Sequence, residues 1–277
     1  NITHEISMFL SCRLLMDMYM CFLGKIIIIH LNDTGMDTTD RFGIVIERQE
    51  QIERLIREWG FLPFFKNGIP GFSIEEMTPP ELLFGDDFPN GPWGWKGPII
   101  ANWESAYGKF FKAKAGFVSL EWLPDFMNWR RSRLPLKKQD KDARHIYEVL
   151  VENESMLSRQ LKKASGFTLS RKRRTFNPED PASPVENPRN GMAFDSLIAG
   201  LEMGTHVCIA DFEYLISKKG EPYGWGLARY CTPEAMYPDL FPYEDLIQGR
   251  TPRQSRKRIL DHLCQILPDV EPDSVEA

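Results

Sequence analysis

The sequence predicts a helix-rich α+β chain built around a winged helix-turn-helix, and three stretches carry that expectation. In DARHIYEVLVEN, residues Ile146, Val149 and Leu150 recur at helical spacing, so one face is apolar. MAFDSLIAGLEMG repeats the pattern with Phe194, Leu197, Ile198 and Leu201. THVCIADFEYLI and EPYGWGLARYC then read as two strands joined by a Ser217–Gly220 turn. A shorter helix, SRQLKKASGF, lies between the first two, with Ser158 as its start and Gly166 as its stop. The order over Asp142 to Tyr230 is therefore helix, helix, basic insertion, helix and hairpin. A third helix in that order has the width to enter a major groove.

Residues 1–36 differ in character from the rest. MFLSCRLLMDMYMCFLGKIIIIHL is apolar but interrupted by Arg13, Asp17 and Lys25. Each charge would cost on the order of 3 kcal/mol at bilayer depth, which argues against a spanning helix. A membrane anchor, an N-terminal helix and sequence upstream of the natural start compete. The ordinary soluble pattern beginning at Met36 favours the last, so this stretch is set apart as an extension, and a cytoplasmic protein is expected.

From Gly43 to Trp59 the recurrence of Ile44, Ile52, Leu55, Ile56 and Trp59 predicts an amphipathic helix ended by Gly60. A Gly-, Pro- and aromatic-rich passage follows, in which Ser73 or Thr78 would cap short helices. Trp93 and Trp95 are expected to pin this passage to the core. Residues 97–131 read as a strand, a Lys-Phe-Phe segment, a second strand over Ala115–Leu120 and a helix after Pro124. Past the hairpin, residues 233–277 form a loop, an amphipathic helix over Thr251–Leu267 and an acidic tail expected to be disordered.

The formal charge of −5 in 277 residues argues by itself against a polyanionic partner. Its distribution argues the other way. Met127 to Thr175 holds 14 Lys and Arg against 5 Asp and Glu, leaving 20 basic and 34 acidic residues elsewhere. Such separation creates a positive face on an acidic body. The cations singled out are Arg130, Arg131, Arg133, Lys137, Lys138, Arg171, Lys172, Arg173 and Arg174, with Lys218 and Lys219 at the hairpin turn. They would neutralise phosphates and make affinity salt-dependent. The third helix has no Arg or Lys between Asn190 and His206, so contact through phosphates is favoured over base reading. Five scattered cysteines lack metal-ligand spacing, so no metal is expected. Cys208 and Cys231 fall on the two hairpin strands and are expected to be reduced and packed.

The run GKFFKAKAGFVSLEWLPDFMNWRR, followed by a winged helix, resembles the AlkZ family of bacterial DNA glycosylases, and within it the AlkZ-related proteins. The matching features are Lys109-Phe110-Phe111 and Leu123 through Arg131. The resemblance implies tandem winged helices, with an N-terminal module over 37–136, a winged-helix domain over 137–232 carrying its basic insertion at 167–190, and no cofactor. It also implies a Gln-aliphatic-Gln or Gln-aliphatic-Asp signature that positions the attacking water. This chain has Gly60-Phe61-Leu62-Pro63-Phe64-Phe65 at that place, and no side chain there can activate water. The expectation is accordingly a non-catalytic binder of double-stranded DNA. Two alternatives stand beside it: an active glycosylase with a relocated carboxylate, for which Glu121 and Asp125 are the candidates, and a protein-interaction module.

Overall fold

A computed structural model describes residues 41–83, 90–167, 193–216, 220 and 222–276. The extension expected at 1–36, nearly all of the insertion at 167–190 and the Lys218–Lys219 turn lie outside these residues. The described chain is about half helical and carries one open antiparallel sheet of six strands.

The first helix, α1 (Gln49–Trp59), is shorter than its apolar spacing predicted. Its start is fixed by Gln51, whose side-chain oxygen accepts the N–H groups of Glu47 and Arg48, both at 2.9 Å. Residues 43–47 are not helical, and the Ile46 N–H bonds the Met77 carbonyl at 2.7 Å. Gly60 ends α1 in the left-handed region (φ 73°), its N–H returning to the Ile56 carbonyl. A Cβ here would lie 2.4 Å from the Trp122 ring, so glycine is required twice over.

Strand β1 (Phe61–Pro63) follows, then two short helices, α2 (Ile74–Met77) and α3 (Pro80–Leu83). Ser73 caps α2 as expected, its hydroxyl accepting the Glu76 N–H. The stretch read as a strand at 97–100 is the end of a helix, α4 (Pro92–Ala101). Its apolar run fits either element, and Pro92 at the first turn decides for helix. Strands β2 (Ser105–Phe111) and β3 (Lys114–Ser119) close a hairpin, and α5 (Leu123–Arg133) begins after Trp122.

The hairpin turn is Lys112–Ala113, and both residues are left-handed (φ 49° and 61°). A two-residue turn with both φ positive ordinarily takes Asn-Gly, because other residues cost roughly 1 kcal/mol or more there. Replacing Lys112-Ala113 by Asn-Gly is therefore expected to stabilise the protein by about 1 kcal/mol, read as a raised urea midpoint at unchanged slope.

The second half repeats the plan. Helix α6 (Lys141–Glu152) is capped by Asp140, and β4 (Ser155–Leu157) precedes α7 (Ser158–Ala164). Strand β4 had no clear signal in the sequence, being three residues long and only half-buried. Helix α8 (Phe194–Met203) leads into β5 (Cys208–Ile216) and β6 (Pro222–Cys231). Each half thus runs helix, strand, helices, strand, strand, with its first strand paired to its last: β1 with β3, and β4 with β6. The halves meet edge to edge where Tyr107 of β2 opposes Ile209 of β5, giving the order β1-β3-β2-β5-β6-β4.

Beyond the sheet, α9 (Pro233–Met236), α10 (Tyr243–Leu246) and α11 (Pro252–Ile266) wrap back onto α5. Thr251 caps α11, its hydroxyl accepting the Gln254 N–H. The acidic tail, expected to be disordered, instead forms a short helix, α12 (Pro272–Glu276), with Val275 packed on the core. One continuous core runs from Ile46 to Leu267 through both halves. No described helix is long and apolar enough to cross a membrane.

Candidate nucleic-acid interface and aromatic cavity

Helix α5 is the hub on which the candidate residues converge. Asp125, in its first turn, is buried to 2% exposure. Arg250 grips its carboxylate with two parallel bonds of 2.8 and 2.9 Å, Arg258 donates a third at 2.7 Å, and the Ser255 hydroxyl a fourth at 2.5 Å. Burial alone would raise the pKa of this carboxyl; the hydrogen bonds and two guanidiniums outweigh it and hold the pKa below the usual carboxylate range. Every lone pair is engaged in fastening α11 to α5, so the group is not placed to activate water. Glu121, the other candidate, is exposed just before the helix.

The last turn of α5 fastens the other side. Arg130 donates to the carbonyls of Met203 and Phe110 at 3.0 and 3.1 Å, joining the end of α8 to β2. Arg131 bonds Glu234 at 2.7 Å and the Thr205 carbonyl at 2.9 Å. Both guanidiniums, singled out as phosphate ligands, thus hold internal partners and are largely enclosed. Arg133, Lys137 and Lys138 are exposed and continue into exposed Lys141. This segment crosses α8: the Leu134 carbonyl meets His206 Nε2 at 2.8 Å, and a Cβ at Gly200 would touch the Gln139 side chain.

Helix α8 itself departs from expectation. It packs against α6 and β2 and lies beneath the 134–139 segment, leaving Asp195 and Ser196 as its exposed polar residues. Glu202, an acidic residue of the same helix, is fully buried. One carboxylate oxygen accepts the Lys109 N–H at 3.1 Å, and the other has no hydrogen-bond partner among the described residues. Burial is the dominant influence and lifts its pKa to about 7, with Lys109 opposing. Lys96 on α4 is the mirror case: burial lowers its amine to about 7, and its Nζ lies 3.1 Å from the centre of the Trp93 ring and 4.3 Å from that of Phe212.

Sequence reasoning passed over the tip of the first hairpin. Exposed Lys112 and Lys114 there border a cavity of about 280 Å³. Its walls include the rings of Phe61, Phe72, Phe110, Phe111, Phe126 and Trp129. Phe61 and Pro63 belong to β1, the place where the resemblance located a Gln signature. Its aromatic walls suit a planar apolar group and its lysine rim an anion. The adjacent phenylalanines and three lysines of GKFFKAKAG were the available signal. Among the described residues, no group of three or more His, Cys, Asp or Glu is placed to hold a metal ion.

Residues 46–277 match the family model described as AlkZ related. The chain belongs to the AlkZ-related family. No curated protein and no solved structure matches it significantly. The match takes in both halves of the sheet, the α5 hub and α11, so the Asp125 cluster and the aromatic cavity both lie inside the AlkZ-related region.

Proposed function

We propose that this AlkZ-related chain is a duplex-DNA-binding protein made of two winged-helix units, holding phosphates rather than reading bases and lacking glycosidic hydrolysis. The observation that carries the reading is the doubled order of helix, strand, helices and hairpin, with first and last strands paired in each half. Exposed cations that would meet phosphates include Lys112 and Lys114 on the first hairpin and Lys137, Lys138 and Lys141 near the segment over α8. Arg171–Arg174 and Lys218–Lys219 would add to them. Enclosure of α8 favours backbone contact over base reading. The internal role of Asp125 supports a binding rather than a hydrolytic protein, and DNA repair is the setting that the family suggests.

The test is duplex binding over a salt series. A phosphate-gripping protein loses affinity log-linearly with salt, and exchanging Lys137 and Lys138 for glutamine reduces the slope by roughly 2. Absence of binding at low salt would favour the protein-interaction reading. Abasic sites appearing in alkylated DNA would establish hydrolysis instead.

A further inference from the structure

Two cysteines stand directly opposed across the β5–β6 ladder, Cys208 facing Cys231, at the end of this hairpin away from its turn. Their sulfurs are 3.4 Å apart, and both residues are buried. On the far side, the Met236 sulfur lies 3.6 Å from that of Cys231, because Thr232 caps α9 and turns the chain back over the strand end. Cross-strand neighbours place their Cβ atoms about 4.5–5.5 Å apart, near the upper end of what a disulfide spans. An S–S bond of about 2.05 Å therefore needs the sulfurs to approach by about 1.4 Å, within reach of side-chain rotation and a slight closing of the strands.

We propose that Cys208 and Cys231 are a redox modification site, closing to an intramolecular disulfide with hydrogen peroxide as the class of oxidant. The step balances: one thiolate attacks a peroxide oxygen and becomes a sulfenic acid with release of water, and the second sulfur displaces its hydroxyl as a second water. Two electrons pass from the sulfurs to the peroxide, and the two thiol protons leave in the waters. Burial governs the rate of this reaction rather than its end point. A small oxidant enters when the strand ends open, and the neighbouring sulfur then captures the sulfenic acid before further oxidation. The Cys208 thiol is held protonated by the adjacent Cys231 and by burial, which keeps the pair quiet until such opening. Cys264, partly exposed on α11, supplies an internal control with a different environment.

The experiment treats the native full chain with hydrogen peroxide, blocks remaining thiols with iodoacetamide under denaturing conditions, and maps peptides without reduction. The expected result is a Cys208–Cys231 cross-linked peptide, about 2 Da lighter than the sum of its reduced parts and released by dithiothreitol. The oxidised protein should also melt at a higher temperature than the reduced one, and Cys208→Ala should abolish both changes. Should that variant fail to fold, the wild-type peptide map still decides. Recovery of both cysteines as alkylated thiols after Cys264 has been fully oxidised would overturn the proposal. So would sulfinic acid at either position in place of the cross-link. Neither result bears on DNA affinity.

Discussion

Replacing Asp125 by alanine is expected to cost about 3–5 kcal/mol, the scale found when one partner of a buried ion pair is removed. The carboxylate is the shared acceptor of Arg250, Ser255 and Arg258, so its loss strands two guanidiniums and a buried hydroxyl at one junction. Asn128 reinforces the same junction by donating to the Arg250 carbonyl and the Ser255 hydroxyl, both at 2.9 Å. Urea denaturation of the variant should show the loss, with Glu121→Gln as an exposed control that stays within about 0.5 kcal/mol. The pH dependence follows from the lowered pKa of Asp125. Its stabilising contribution is present above the unfolded carboxyl value and is lost as pH falls through the lower folded value. The junction should therefore hold through mildly acidic conditions. A catalytic carboxylate would behave otherwise: its removal would spare stability and abolish turnover.

Glu202 is expected to behave in the opposite sense. Its folded pKa of about 7 lies above its ordinary value of 4.5, so the native state prefers the protonated form. The associated stability is fully present below the unfolded value and disappears as pH rises through 7. The change amounts to about 3 kcal/mol across that interval, from the size of the displacement. Glu202→Gln removes the ionisation while keeping an acceptor for the Lys109 N–H. The variant should match wild type near pH 4 and exceed it by about 3 kcal/mol near pH 8. Equal stability of the two proteins at pH 8 would show that the wild-type carboxylate finds a compensating cation.

These two residues also mark how far the sequence could be read. Helical spacing located α6, α8 and α11, and the cap at Ser73 was readable because its partner lies three residues away. The partners of Arg130 and Arg131 are carbonyls of Met203 and Thr205, more than seventy residues distant, and no local pattern announces them. A cluster of arginines after an apolar helix reads as a solvent-facing track for the same reason. Nothing in the local sequence marks Glu202 as a buried carboxylate. It is enclosed because β2 and the 134–139 segment, from a remote part of the chain, cover the side of α8 that spacing alone would leave in water. The Asp125 carboxylate was a candidate for catalysis, and spacing cannot distinguish a structural clasp from a reactive group. The cavity beside the first hairpin draws its walls from β1, β2, α5, α11 and α12, and only the folded chain assembles it.

The edge-to-edge meeting of the two halves has a consequence for how copies of the protein coexist in a crowded solution. Every long strand ends up in the interior of the sheet, and the outermost positions fall to Phe61–Pro63 and Ser155–Leu157. Each margin is three residues long, and one contains a proline that has no N–H to offer. At these two margins a neighbouring molecule seeking to extend the ladder meets only a short length of unpaired backbone, which guards both ends of the sheet against fibrous association.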